Sequence, residues 1–165
     1  PSRITRALAR RLGRRRPLWA VIQANHPREL SPEALVAVDR LQSRGIPVIN
    51  QSVLLKGVND KVGILEELSR TLVSAGVKPY YLFQGDLAEG TAHFRLPLDE
   101  ARKLTEELRI RLSGLAMPGF AVDLPGGGGK VPLGRDYVRG HDERGWILRT
   151  PDGLEGHYQD PKENS

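Results

Sequence analysis

The sequence predicts an α/β fold of parallel strands alternating with helices, followed by a small antiparallel β tail. Three observations carry this reading. Short apolar runs alternate with stretches that repeat leucine or valine at helical spacing. The connections between them are short, which implies right-handed βαβ units and a parallel sheet. After Val138 the texture changes to short segments separated by turn dipeptides. At 165 residues the chain can build one modest core, and its 39% apolar content argues against disorder.

The elements follow in order. A first helix carries Ile4, Leu8 and Leu12 as its apolar stripe. Leu18–Ala24 is a short apolar run bounded by prolines, a buried strand that ends in Asn25-His26-Pro27. Ser31 then caps a helix with Pro32 at its first position. Leu35, Val38 and Leu41 line its face and Gly45 stops it. Ile46–Leu55 is the second strand. Asn59-Asp60 opens a helix with Ile64, Leu65, Leu68 and Leu72 inward, which Gly76 ends. Val77–Gln84 is the third strand, leading to Gly85-Asp86-Leu87. Pro97-Leu98-Asp99-Glu100 starts a helix through Leu112, closed by Gly114, and Phe120–Asp123 is the fourth strand. In the tail, Asp142–Gly145 and Asp152-Gly153 are hairpin turns, and the last six residues, DPKENS, are expected to fray. The expected organisation is a partial (β/α) barrel over residues 1–133 and a β-hairpin tail over 134–165.

In parallel α/β barrels, function collects at the carboxyl ends of the strands. Asn25, His26, Asn50, Gln51, Gln84, Asp86 and Asp123 occupy those ends here. Each alone could be a cap or a satisfied buried group; together they form a polar ring. The stretch after the fourth strand is the most informative in the chain. Asp123-Leu124-Pro125 runs into four glycines and then Lys130. A loop without Cβ atoms lets a ligand approach the backbone closely. A lysine at its end could contact phosphate or form a Schiff base, and the residues alone equally allow a flexible turn with a solvated amine. The phosphate-loop pattern fails, because Leu124 and Val131 stand where Gly and Ser or Thr are needed.

The net charge of +5 is concentrated in Arg3, Arg6, Arg10, Arg11, Arg14, Arg15 and Arg16. No aromatic residue interleaves with them, so the stacking half of a single-strand nucleic-acid site is missing. No apolar run reaches membrane-spanning length and no signal peptide opens the chain, so a cytoplasmic setting is expected. With no cysteine, disulfides, thiolate zinc sites and iron–sulfur ligands are absent from these residues. The four histidines are too scattered to suggest a metal site. Tyr80 and Tyr81 alternate across a strand, which sends one to the pocket and the other to the core. Arg95 is open to pairing with an acid, a phosphate or solvent.

Asn25-His26-Pro27, Asn50-Gln51-Ser52-Val53-Leu54-Leu55 with Gly57-Val58-Asn59-Asp60, Pro79-Tyr80-Tyr81, Asp86, His93-Phe94-Arg95 and the Asp123-to-Lys130 run occur in one order. In that order they resemble the lysine 2,3-aminomutase family of radical S-adenosylmethionine enzymes, over nearly the whole chain. Jointly the motifs are very specific; none is so alone. The resemblance implies the carboxyl-terminal half of a radical-S-adenosylmethionine-type barrel whose enzymes are isomerases interconverting L-lysine and β-lysine. It implies that Lys130 holds pyridoxal phosphate as an internal aldimine. Asp86 and Asp123 match the two acids that grip the substrate's side-chain ammonium. Gln51 lies on the strand end facing adenosylmethionine and cofactor. The family's [4Fe-4S] cluster is held by three cysteines in a short loop that would precede Pro1, so the chain reads as a piece of a longer protein, inactive alone. The complete enzyme is expected to be a homo-oligomer, with no membrane or nucleic-acid partner. Two alternatives stand beside this reading. One is a relative that isomerises lysine on elongation factor P. The other is a noncatalytic module binding nucleic acid through the arginine-rich start, which a steep salt dependence would reveal.

Overall fold

The computed structural model describes residues 1–159 except Arg16 and Arg135. The fraying expected of the last six residues, and the place of Arg16 in the arginine cluster, lie outside the described residues. The chain divides into two compact units, Pro1–Leu133 and a second from Gly134 onward.

The first unit is α/β. Its strands are β1 (Ala20–Ile22), β2 (Val48–Leu54), β3 (Lys78–Gln84), β4 (Gly119–Leu124) and β5 (Gly129–Pro132), in that spatial order. β1 to β4 are parallel, and β5 returns antiparallel on β4. The helices are α1 (Arg6–Leu12), α2 (Pro32–Gln42), α3 (Val62–Ser74) and α4 (Leu98–Arg111). α2, α3 and α4 are the crossovers between consecutive parallel strands, as the alternating pattern predicts.

Burial along β2 alternates strictly, with Val48, Asn50, Ser52 and Leu54 buried and Ile49, Gln51 and Val53 half-buried. One face of the sheet therefore packs on helices and the other is open. On the packed face Leu68 and Leu72 of α3 join Val38, Leu41, Ile46 and Val48. Leu65 of the same helix joins Leu82, Leu108 and Phe120 in a second cluster. α3 thus links two cores, and truncating Leu65, Leu68 or Leu72 to alanine would cost about 2–5 kcal/mol.

Three local differences from the sequence reading have physical causes. α1 begins at Arg6 because the Thr5 hydroxyl accepts from Leu8 N, and the helix buries Ala9 rather than Leu8 or Leu12. α3 begins at Val62, not at Asn59-Asp60, because both those side chains are spent inside the preceding loop. Asn59 Oδ1 accepts from Leu55 N and Asp60 Oδ2 from Gly57 N, each at 2.7 Å. The glycine run is not a plain loop but the turn of a hairpin. Gly126 and Gly129 take φ of 70° and 79°, which glycine adopts without strain, and the chain reverses into β5.

The second unit is a three-stranded antiparallel sheet of β6 (Val138–Asp142), β7 (Gly145–Arg149) and β8 (Glu155–Tyr158). Its first turn depends on Gly145, where φ is 112° and an added Cβ would overlap the Tyr158 carbonyl.

Candidate functional site

Asn50 and Gln51 lie not at the carboxyl end of β2, as expected, but with Ser52 in its middle, because β2 runs on to Leu54. There, beside the end of β1, the polar side chains bond to one another and to backbone. Asn50, 1% exposed, accepts from Ala24 N at 2.8 Å and donates to Ala24 O at 3.1 Å and to Ser52 Oγ at 2.8 Å. Ser52 Oγ donates to Ala24 O at 2.8 Å, and Asn25 Oδ1 accepts from Val53 N at 2.7 Å. Asn59, fully buried, donates to Asn25 O at 2.8 Å and Val53 O at 2.9 Å. His26 caps the short turn at Pro27–Glu29, its Nδ1 accepting from Arg28 N at 3.1 Å. Gln84 is also turned inward, donating from Nε2 to Leu96 O at 2.8 Å. Asn25, His26, Asn50 and Gln84, four members of the expected polar ring, are structural clamps, and Ser52 and Asn59 join them. A buried polar group must be satisfied, and these nearly all are.

Gln51, Asp86 and Asp123 are what remains of the ring. Gln51 sits half-buried on the open face of β2, in register with Tyr81 of β3. Asp86 lies exposed in the loop that leaves β3. Asp123 ends β4, and its register partner on β5 is Lys130. That pairing is the centre of the geometry. Lys130 Nζ lies 2.8 Å from Asp123 Oδ1 and 3.2 Å from Oδ2, above the rings of Phe83 (3.9 Å to centroid) and Tyr81 (5.0 Å). Asp86 and Asp123 together line a cavity of about 340 Å³, with Gln84, Gly85, Arg95 and Pro125 among its other walls. A slightly larger hollow of 380 Å³ beside Pro1, Pro32 and Arg40 contains none of these residues.

One residue of this site escaped the sequence reading, and the structure places another differently. Phe83 forms part of the floor under Lys130, and only the strand periodicity that puts it level with Tyr81 could have flagged it. Tyr80 was expected to alternate with Tyr81. Instead the register slips between Asn50 and Gln51, leaving Tyr80 as the extra residue of a bulge. Both tyrosine rings then stack edge to face at 4.4 Å, and Tyr80 is 44% exposed rather than core. The hydrogen bond and charge of Tyr81 push the Tyr80 hydroxyl above the usual phenol range, with Lys130 pulling the other way.

Among the described residues no group of three histidine, aspartate or glutamate side chains could hold a metal ion, and no helix is long and apolar enough to cross a membrane.

A family model described as Lysine-2,3-aminomutase matches residues 105–165. L-lysine 2,3-aminomutase of Fusobacterium nucleatum is 41% identical over 162 residues, covering 98% of this chain and 38% of that protein. The enzyme of the same name from Clostridium subterminale is 42% identical over 161 residues, with 98% and 39% covered. Glutamate 2,3-aminomutase of Clostridioides difficile is 36% identical over 160 residues, covering 92% of this chain and 38% of that protein. The chain therefore spans about two fifths of the length of these relatives. Among solved structures, a radical SAM methyltransferase from Sphaerobacter thermophilus superposes with a TM-score of 0.53 at 19% identity, covering 72% of this chain and 38% of that one. That likeness is one of fold.

Proposed function

The chain belongs to the lysine 2,3-aminomutase family, matching the carboxyl-terminal part of its members, and from that placement we propose that it forms the substrate side of an enzyme interconverting L-lysine and β-lysine. Lys130 is the residue that binds pyridoxal phosphate, Asp86 and Asp123 hold the substrate's side-chain ammonium, and Gln51 faces adenosylmethionine. The observation that carries this reading is the shared cavity of Asp86 and Asp123 with Lys130 bonded directly to one of them.

The chemistry of the donor set suits pyridoxal phosphate. Lys130 offers a primary amine over two aromatic faces, and the hairpin turn beside it is open, with nothing within 4 Å of where Cβ atoms would stand at Gly126 and Gly129. When bound, that cofactor supplies a carbonyl that captures amines and a conjugated ring that spreads charge. An iron–sulfur cluster does not fit the residues present, since there is no cysteine to ligate it. These 165 residues alone are expected to form no β-lysine.

The chain's own residues would act as follows. Lys130 must be neutral to react with a carbonyl, so its proton would pass to solvent, and Asp123, 2.8 Å away, holds the amine in place until then. With Lys130 given over to the cofactor, the Asp123 carboxylate would be left without its cation. The vacated carboxylate and Asp86 then face a cavity suited to another ammonium. An isolated buried ammonium is costly, and two carboxylates offset that cost through charge-assisted hydrogen bonds. The same pair repels a carboxylate, so the site favours lysine over glutamate.

The test uses the intact protein. Pyridoxal phosphate should give the absorbance of the lysine-bound cofactor with the natural sequence and not with Lys130→Ala, and turnover should favour L-lysine over L-glutamate. An unchanged band in Lys130→Ala would end the proposal.

A further inference from the structure

We propose that Arg95 positions Asp86, and thereby sets how strongly the site prefers an ammonium-bearing side chain. The inference rests on the reading of Asp86 as a substrate acid.

Asp86 follows the last residue of β3 by two positions and sits in no regular element. A carboxylate on such a loop needs an external hold if it is to meet a ligand in a fixed place. Arg95 provides one, because its Nη1 donates to the Asp86 carbonyl at 3.0 Å. The segment that carries Arg95 is itself pinned on both sides. Phe94 O accepts from Lys56 N, just beyond β2, and Leu96 O accepts from the buried Gln84 side chain at the end of β3, each at 2.8 Å. The brace is therefore reciprocal. A side chain of β3 bonds the backbone of the segment, and a side chain of the segment bonds the backbone of the Asp86 loop. The arginine stem also lies against Gly85, where an added Cβ would come within 3.0 Å of Arg95 Cγ. Arg95 lines both cavities that flank Asp86, of about 340 and 200 Å³.

What the guanidinium does not do is equally informative. No ion pair joins Arg95 to a carboxylate among the described residues. It fixes the Asp86 main chain while leaving that carboxylate open to a substrate cation. A side-chain pair would have held the loop equally well and neutralised the acid. Lysine could not replace the arginine, since its single ammonium lacks the planar fork whose Nη1 reaches the carbonyl while the stem lies against Gly85.

The experiment compares the intact enzyme with its Arg95→Gln, Arg95→Lys, Gly85→Ala and Asp86→Asn variants. The substrates are L-lysine and L-norleucine, which has the same four-carbon side chain with a hydrogen in place of the ammonium. Arg95→Gln should raise KM for lysine by about tenfold to a hundredfold. It should change kcat by less than about twofold, erode the preference for lysine over norleucine, and leave the absorbance of lysine-bound pyridoxal phosphate unchanged. Arg95→Lys should not restore the preference. Gly85→Ala, which crowds the arginine stem, should shift it the same way by a smaller factor, and it carries the test if Arg95→Gln does not fold. A wild-type preference in Arg95→Gln, or in Gly85→Ala where that variant stands in, alongside a lost preference in Asp86→Asn, overturns the role of Arg95 alone. A retained preference in Asp86→Asn overturns the reading of the acid, and the inference with it.

Discussion

The two sides of one sheet both gather polar side chains and use them in opposite ways. At β1 and β2, Asn25, Asn50, Ser52 and Asn59 bond to backbone and to each other, and the last three are buried. At β3 to β5, Asp86, Asp123 and Lys130 stay accessible, and the one bond among them joins two side chains that a ligand could separate. Position at a strand end is therefore not what marks a site. Asn25, Asn50 and Asn59 spend their hydrogen bonds within the protein. Carboxylates and an amine keep capacity for something else.

Breaking each side should give opposite phenotypes. The largest effect belongs to the open side. Asp123→Asn or Asp86→Asn should weaken lysine binding to the intact enzyme by about 2–5 kcal/mol, by analogy with buried charge pairs that lose one member. Denaturant midpoints should report a stability change under about 1 kcal/mol, because the Lys130–Asp123 pair is partly exposed. Asn59→Ala should do the reverse. It leaves Leu55 N, Asn25 O and Val53 O without their partner, at a cost of about 3 kcal/mol read from the same denaturant titration. Equal stability losses on both sides would erase the distinction.

Much of this was legible in the sequence, and the misses share one cause. The order of strands and helices follows from hydrophobic period and from caps such as Ser31-Pro32, which the structure uses as read. Asp123 and Lys130 were singled out as chemistry-bearing. That they are direct register partners on neighbouring strands was not, because strand register depends on pairing that no local pattern encodes. The polar ring was over-read for the same reason. Asn50 and Gln51 are adjacent in sequence, yet the alternation of β2 sends one to the buried face and the other to the open face. The Tyr80 bulge shifts the phase again, and a one-residue slip of that kind leaves no signature in composition.

The hairpin that creates the Asp123–Lys130 register offers a smaller test. Gly126 adopts φ of 70° with open space around it, so an added methyl would meet no neighbour and only the backbone would object. Gly126→Ala should destabilise by roughly 1 kcal/mol through that strain. Its effect on capture of pyridoxal phosphate should exceed its effect on stability, because the turn sets where Lys130 stands. Cofactor titration of the two proteins at one pH measures the first and a denaturant midpoint the second.

The smallest effect separates a saturated clamp that cannot titrate from a saturated pair that can. In the tail, Asp142 accepts from Arg144 N at 2.8 Å and faces His157 Nε2 at 3.1 Å. The Arg144 amide first, and then His157 and the Arg144 charge, hold its carboxyl below the ordinary range despite slight desolvation. A carboxyl with a depressed folded value binds fewer protons folded than unfolded in that window. Its stabilisation is complete above the unfolded value of about 3.9 and drains away as pH falls through the lower, folded one. The thermal midpoint of Asp142→Asn should therefore lie slightly below that of the natural sequence at neutral pH, and the gap should close in acid. The gap for Asn59→Ala should hardly move over the same range, since an amide carries no proton to lose. An Asp142 gap that persisted unchanged through the acid limb would mean that the Arg144 and His157 contacts stabilise by packing rather than by charge.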